Sequence, residues 1–522
     1  MNRSSLGQAC VGDVLDAAAL RFPNREAFFC APTGRRLTFA QVHERANRLA
    51  NGLLGLGLHK GERVAFLSTN RVEMVEIYFA LAKSGLVGLP LNYRLAPVEM
   101  VALMQEVDAS ALIFERKFAA AAAQARQALP TLRTQVAFGE GESGAAHDYE
   151  TLLAQASAGQ PPVEIGEHDP YYFNLTSGTT GLPKCYLISH YNATAFFPMF
   201  NTLSMTRDDV VMTVFPMYGR VGFGWAMASV AWGCPNVLVN FDAAEALRLI
   251  ARERVTIANL VPTMGAMLLA CPELGGADLG SLRGLVFVGS LLPEPVREGI
   301  TSRVCPRLYE YYGMQETSTL VVSTPEDRAL RPGSVGLPVM FAQVRVVDTE
   351  GRDLPPGETG EIIGRSPGTV TGYYNNPGKT AETFRDGWLH TGDLGHLDAE
   401  GYLYINGRLK DMIITGGQNV HSGEVESTIL GMAGVSDCAV VGLSDPLWGE
   451  AVTAVVVPAE GQSVDPEAVI AWCRQSLAGF KTPKRVLIQH EPLPRTATGK
   501  VQKFMLLKRY DQAEGKSEAS ID

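Results

Sequence analysis

No two cysteines in this chain are spaced as C-x-x-C, and none clusters with histidine. The eight cysteines are scattered over 522 residues, which excludes a disulfide framework or zinc module and reads as reduced, cytosolic thiols. The nine histidines offer no H-E-x-x-H or similar metal spacing. A basic excess is also missing. The net charge of −10 argues against non-specific nucleic-acid binding but leaves room for a local basic site. No apolar run is long enough to span a bilayer; residues 77–91 come nearest, and Lys83 interrupts them. Residues 1–13 lack the basic-then-apolar pattern of a signal peptide, so a cytoplasmic location is expected. Internal repeats are absent.

A chain of this length exceeds one hydrophobic core, so two to four domains or subdomains are expected. Leu37 to Leu56 places apolar residues at helical spacing, with Thr38 as N-cap. Arg63 to Leu67 reads as a strand, Val72 to Lys83 as a helix, and Gly85 to Pro90 as another short apolar run. Phe118 to Leu129 is an Ala-rich surface helix, and residues 139–169 read as loop. This alternation, continuing to about residue 325, predicts α/β layering. From Ser334 to about residue 406, strands such as Gln343 to Val347 and Glu361 to Ile363 lie between Gly/Pro turns, which predicts a β-rich subdomain. Beyond Lys410 come a strand at Ala439 to Leu443, the run Ala451 to Pro458, a helix at Pro466 to Leu477 and a strand at Arg485 to Ile488. The expected division is a large N-terminal α/β domain over 1–409 and a small, mobile α+β domain over 410–522, with a disordered tail from Gln512.

The densest chemical signal is residues 176–184, Thr-Ser-Gly-Thr-Thr-Gly-Leu-Pro-Lys, which follow a short strand at Tyr171 to Leu175. Gly178 and Gly181 let backbone N–H groups approach an anion. Thr176, Ser177, Thr179 and Thr180 add hydroxyls, and Lys184 adds positive charge. A phosphate chain needs such a cradle, although the spacing is not that of a Walker loop. The bland alternative is a Gly/Thr-rich surface loop.

Four further segments carry candidate chemistry. In Tyr312-Gly313-Met314-Gln315-Glu316-Thr317, the aromatic before Gly suggests a tight turn with a stacking face, and Glu316 is a hard oxygen donor suited to Mg²⁺. The alternative is an ordinary helix start. In Trp388 to Asp393, an Asp after Gly392 suits a ribose diol, against a simple Asx turn. Gly407 to Asp411, followed by Gly416-Gly417, combines a charged linker with glycines that permit close approach to a ligand. Lys500, after Gly499, would ordinarily be a solvated charge. Two false trails close. Gly364 to Gly368 fits G-x-S-x-G, but Pro367 lacks the N–H an oxyanion hole requires. Gly372 to Thr380 is one residue too long for a Walker loop.

These segments, in this order from about Asp16 to about Tyr510, resemble the adenylate-forming superfamily of acyl- and aryl-CoA synthetases. The resemblance implies a two-step reaction: a carboxylate attacks Mg·ATP to give acyl-adenylate and pyrophosphate, then CoA gives the thioester and AMP. It implies that Thr176 and Lys500 act in catalysis, Lys500 bridging the carboxylate and the α-phosphate. It places residues 177–181, Lys184, Gly289, Ser290 and Tyr311 around the nucleotide, with Tyr312 stacking adenine beside Gly313. Gln315 stands where Thr is usual and keeps an amide that can donate to phosphate. Glu316 holds Mg²⁺, Asp393 and Arg408 meet the ribose, and Lys410 is the hinge. The Gly416-Gly417 loop enters the site for the second step. Trp448, Phe480 and Lys484 resemble a CoA-binding set, against surface aromatics of no such role.

Met199, Tyr218, Gly219, Arg220, Val221, Val288, Tyr311 and Gly313 are expected to line an acyl pocket suited to an aromatic or medium-length acid. Gly219 falls where His is common, so an aromatic gate is either missing or supplied by Tyr218. Arg220 is expected to face solvent or pair with an acid; its alternative is to bind a second carboxylate of a dicarboxylic acid. The alternative acceptor is a carrier protein, and a homodimer is left open.

Overall fold

The computed structural model describes residues 8–176, 184–495 and 500–517. Among them, two large sheets enclose the main core. A seven-stranded sheet runs in the order His147–Asp148, Thr134–Phe138, Ala109–Glu115, Arg63–Leu67, Val87–Pro90, Pro170–Thr176, Lys184–Ser189. A nine-stranded sheet contains the parallel neighbours Val211–Thr213, Ile257–Leu260, Gly284–Val288 and Leu308–Met314. The antiparallel strand Ser318–Ser323 extends it beyond the last of these.

The helix Val72–Ser84 is buried along its whole length between these sheets. A helix apolar on all sides must be enclosed, and its charged members are each paired. Glu73 meets Arg71 and Arg35, Glu76 meets Arg45, and Lys83 meets Asp16. A second central helix, Arg220–Trp232, meets the first where Tyr78 stacks on Phe223 at 3.7 Å between ring centroids. Gly222 permits this helix to leave the preceding turn, since a Cβ there would stand 2.4 Å from the Pro216 carbonyl oxygen.

Two smaller sheets follow. One is built on Gln343–Val347, Gly360–Arg365, Trp388–Leu397 and Leu403–Arg408. The other is built on Met412–Thr415, Val435–Asp445, Gly449–Pro458 and Arg485–Ile488. This last sheet has its own core, in which Val440, Val452, Ala454 and Val456 pack against Val425 and Ile429.

Three sequence expectations need correction. Residues 139–169 are not all loop: Tyr149–Gln155 is helical, with Asp148 accepting from the Thr151 N–H at 2.8 Å and Tyr149, Leu152 and Leu153 buried. Apolar residues at i, i+3 and i+4 were present, but in a Gly- and Pro-rich setting. The Tyr312 segment is not a helix start: Tyr312 to Met314 end the strand Leu308–Met314, and the expected tight turn follows one step later, at Gln315 to Thr317. The helix Lys503–Ser517 carries regular structure past Gln512.

Candidate active site

The functional segments meet at the carboxyl ends of the parallel strands, where open α/β sheets bind ligands. Residues 177–183, including Ser177, Gly178, Thr179, Thr180 and Gly181, lie outside the described residues. Their flanks are described: Thr176 and Lys184 are register partners of an antiparallel pair, so the glycine-rich segment joins two adjacent strands. Lys184 Nζ stands 5.1 Å from the centre of the Tyr373 ring, and burial lowers its pKa.

Tyr373 in turn donates to Glu316 Oε1 at 2.6 Å, and Glu316 is buried. The turn carrying Gln315 and Glu316 is clamped from several sides. Asn174 Nδ2 donates to Gln315 Oε1 at 3.2 Å, while Tyr186 OH donates to the Gln315 carbonyl at 2.9 Å. Val370 N–H donates to the Glu316 carbonyl at 2.9 Å, and Ser366 Oγ to that of Thr317 at 2.8 Å.

Arg220 completes the clamp and departs from expectation. It neither faces solvent nor meets a carboxylate among the described residues. It is buried, and its guanidinium donates to the carbonyls of Gln315 (2.8 Å), Gly368 (2.8 Å) and Asn192 (3.3 Å). Three chain segments are therefore tied to the first residue of one helix.

Gly313 is required by its surroundings. A Cβ there would stand 2.0 Å from the Ser318 carbonyl oxygen, across the register shift between Tyr312 and Gly313. Next to it, Tyr312 OH donates to Asp393 Oδ2 at 2.9 Å, and Arg408 Nε lies 3.0 Å from Asp393 Oδ1. Asp393 and Arg408 are register partners, so the ladder itself fixes this pair. Each carboxylate oxygen retains a lone pair for a further donor.

Lys500 lies within electrostatic reach of Asp393 and Asp411, and of Arg408 and Lys410. Burial, then the neighbouring Arg408, pushes its ammonium down to about 8. Burial likewise lowers Lys410, with Arg408 and Lys184 adding to the effect. Lys184, Arg408, Lys410 and Lys500 thus converge on one region of an acidic protein, an arrangement suited to a polyanion.

The Gly416-Gly417 turn is elsewhere. Both residues are exposed, with φ of 55° and 76°, and Gly416 N–H donates to the Trp448 carbonyl at 2.7 Å. Lys484 Nζ sits 5.2 Å from the Trp448 ring centre and donates to the Gly479 carbonyl at 3.0 Å. Phe480 is exposed beside them, and Lys481 is held by Glu424 at 2.8 Å.

The acyl-pocket residues divide. Met199, Tyr311, Val221 and Val288 belong to one apolar cluster with Phe200, Trp225 and Val286. Tyr311 OH meets Thr202 Oγ1 at 3.1 Å. Tyr218 packs instead against the central core, edge-on to Tyr93 at 5.5 Å, so it does not join that cluster. Gly219 is the N-cap of the Arg220–Trp232 helix. Gly289 and Ser290 are exposed just past the strand Gly284–Val288, and Gly289 has φ of 102°.

The profile of the AMP-binding enzyme family matches residues 15–374, and that of the AMP-binding enzyme C-terminal domain matches residues 424–500. The chain belongs to the AMP-binding enzymes. Its relatives include a feruloyl-CoA synthase from Amycolatopsis sp, 37% identical over 487 residues, covering 91% of this chain and 94% of the relative. An indoleacetate–CoA ligase from Aromatoleum aromaticum is 36% identical over 493 residues, covering 93% of each. Among solved structures, the anthranilate CoA ligase AuaEII in complex with anthranoyl-AMP superposes with a TM-score of 0.90. It is 29% identical and covers 97% of this chain and 98% of that one. The AMP-binding family therefore places this chain among the adenylate-forming acyl- and aryl-CoA synthetases, as an AMP-forming acid–CoA ligase. No helix among the described residues is long and apolar enough to cross a membrane.

Several residues of the site carried no sequence signal. Tyr373, Asn174, Tyr186 and Asn192 act through contacts that span from 12 up to 177 positions of sequence separation. Nothing local marks them.

Proposed function

We propose that the protein ligates an aromatic carboxylic acid to CoA. The observation that carries this reading is the apolar cluster of Met199, Tyr311, Val221 and Val288 beside the Tyr312 strand, from which Arg220 is diverted. Apolar walls of this kind suit a flat ring, and a second carboxylate would be buried there unpaired, at a cost of several kcal/mol, on the order of what a buried charge demands.

In the first step the acid's carboxylate attacks the α-phosphate of ATP, forming the acyl–phosphate bond as the α–β bridge breaks and pyrophosphate leaves. Asp393 and Arg408 orient the ribose, and Tyr312 lies against the base. Thr176, Lys184 and residues 177–181 hold the phosphates. Lys500, protonated, meets the negative charge that develops as the acyl–phosphate bond forms. The donor set suits Mg²⁺. Glu316 is a buried hard oxygen ligand, and no group of three or more His, Cys, Asp or Glu among the described residues would coordinate a metal without help. An ion there would share its shell with phosphate oxygens and water, as Mg²⁺ usually does. When bound it would neutralise phosphate charge. The protein's part is to aim Glu316, through Tyr373 and the Arg220 clamp.

In the second step the CoA thiol attacks the acyl carbon and AMP leaves. The arrangement with Lys500 beside Asp393 and Gly416-Gly417 exposed suits the first step. Rotation about Lys410 exchanges the two for the second, a conformational gate on the reaction. Trp448, Phe480 and Lys484 provide an aromatic and basic surface for the CoA nucleotide.

The test is AMP release from ATP with CoA, against aromatic, straight-chain and dicarboxylic acids. CoA-dependent turnover confined to aromatic acids supports the reading. Turnover with aliphatic or dicarboxylic acids alone, or pyrophosphate exchange without CoA-dependent turnover, overturns it.

A further inference from the structure

Asn259 is a buried polar side chain for which the fold provides no use. It is fully buried, and among the described residues neither Oδ1 nor Nδ2 has a hydrogen-bond partner. Two other buried asparagines, Asn47 and Asn236, each leave Oδ1 unbonded but keep Nδ2 engaged, with the Ala158 carbonyl and with Thr213 and Ser229. Among the described residues Asn259 alone is a buried side-chain amide with both ends unbonded. Such a group costs stability, and its presence calls for a partner.

Its position indicates where that partner comes from. In the strand Ile257–Leu260, alternate residues face opposite sides of the sheet. Ala258 and Leu260 pack into one core, while Ile257 packs into the cluster of Met199, Tyr311 and Trp225. Asn259 shares the face of Ile257. Across the sheet it is the register partner of Val286, which pairs with Tyr309; Val288 pairs with Tyr311. Exposure rises along this strand: Val286 is buried, Val288 half-buried, and Gly289 exposed. Asn259 therefore lies at the level of Val286, one pleat (about 6.6 Å) deeper than the Val288–Tyr311 rim. That depth is comparable to one benzene ring with its para substituent.

We propose that Asn259 determines specificity for the acid: its amide hydrogen-bonds a hydroxyl at the far end of an aromatic substrate. A hydroxyl both donates and accepts, so it satisfies Oδ1 and Nδ2 in a way that a hydrogen or a methyl group cannot. The cluster on this face is mostly apolar, and its polar neighbours Thr213 and Asn236 are engaged with each other, so this amide supplies the polar recognition at that depth. The inference rests on the aromatic-acid reading above and adds the class of ring substituent.

The experiment compares matched pairs, benzoate with 4-hydroxybenzoate and cinnamate with 4-hydroxycinnamate, by CoA-dependent AMP release. The wild-type enzyme should favour the hydroxylated member of at least one pair by about ten- to a hundredfold in kcat/KM. Asn259→Leu should erase or reverse that ratio while keeping or raising kcat/KM for the unsubstituted acid. Its melting temperature without substrate should not fall, because an unpaired amide is replaced by an apolar group of similar size. An unchanged ratio, or an equal loss on both acids with a lower melting temperature, overturns the proposal. Asn259→Ser provides a smaller variant, and the wild-type ratios decide independently of either. Wild-type turnover of aromatic acids with no preference for a hydroxyl overturns the inference and leaves the aromatic reading standing. Failure with every aromatic acid overturns both.

Discussion

Replacing Arg220 by Met removes a guanidinium that ties three segments together. The Gln315 carbonyl would keep its bond from Tyr186, but the Asn192 and Gly368 carbonyls would lose the donor they share. Hydrogen bonds to a charged group are worth about 1.5–3 kcal/mol each. Relief from burying a cation offsets part of this, so a net loss of about 3 kcal/mol is expected. At the lower end of the usual sensitivity for large domains, that is a fall of roughly 5 °C in melting temperature. The functional effect should be larger. The freed turn carries Gln315 and Glu316, and a displacement of about 1 Å at a positioned group can cost about a hundredfold in rate. The assay is ATP–pyrophosphate exchange with a good monocarboxylic substrate. Arg220→Met should lower kcat/KM for ATP by about ten- to a hundredfold, and Arg220→Lys should restore part of it. The ratio of monocarboxylate to dicarboxylate activity should stay fixed. A changed ratio with unaltered ATP kinetics would refute the reasoning and return Arg220 to the acyl pocket.

Three further predictions follow from named contacts. Tyr373→Phe removes the hydroxyl bonded to Glu316 and should raise the Mg²⁺ concentration for half-maximal adenylation several-fold, with little change in KM for CoA; equal effects on both would contradict the assignment. Lys500 must be protonated to stabilise negative charge, and its pKa is lowered to about 8, so kcat/KM for ATP in adenylation should fall as pH rises through about 8, whereas Lys500→Arg should move that limb to higher pH. His190 is buried and pushed down to about 4, with its Nδ1 accepting from the Val11 N–H at 3.2 Å. Because the unfolded chain protonates this imidazole near 6.5 and the folded chain only near 4, stability should fall by about 1.4 kcal/mol for each unit by which the pH is lowered between them. Denaturant titrations of wild type and His190→Gln should diverge over that interval and run parallel above pH 7.

Much of the fold was legible where local pattern and tertiary role coincide. The strands Arg63–Leu67, Gln343–Val347 and Arg485–Ile488 are continuous β-rich runs between turn residues. The helix Phe39–Gly55 begins at Thr38 with a capping box closed by Gln41, as its sequence suggests. The family was legible through the order and spacing of the motifs. Contacts between segments were not. Arg220 looked like a surface or substrate-binding charge because no local feature shows three carbonyls converging on it. Tyr373 sits in a stretch that resembles only a broken Walker loop, yet an isolated bridge to Tyr186 brings it to Glu316. Asn259 occupies an otherwise apolar strand, and only the sheet register reveals which face it shares. Tyr218 shows the same limit: its place in the motif suggested the pocket, and no local feature shows that its ring is partly buried against the central core.

We propose that one lysine serves the first half-reaction and another face of the same small domain serves the second. Separate assays of Lys500→Ala test it most directly. The variant should lose acyl-adenylate formation from ATP and acid, with thioester formation from supplied acyl-adenylate and CoA largely preserved. Equal loss of both half-reactions would contradict it.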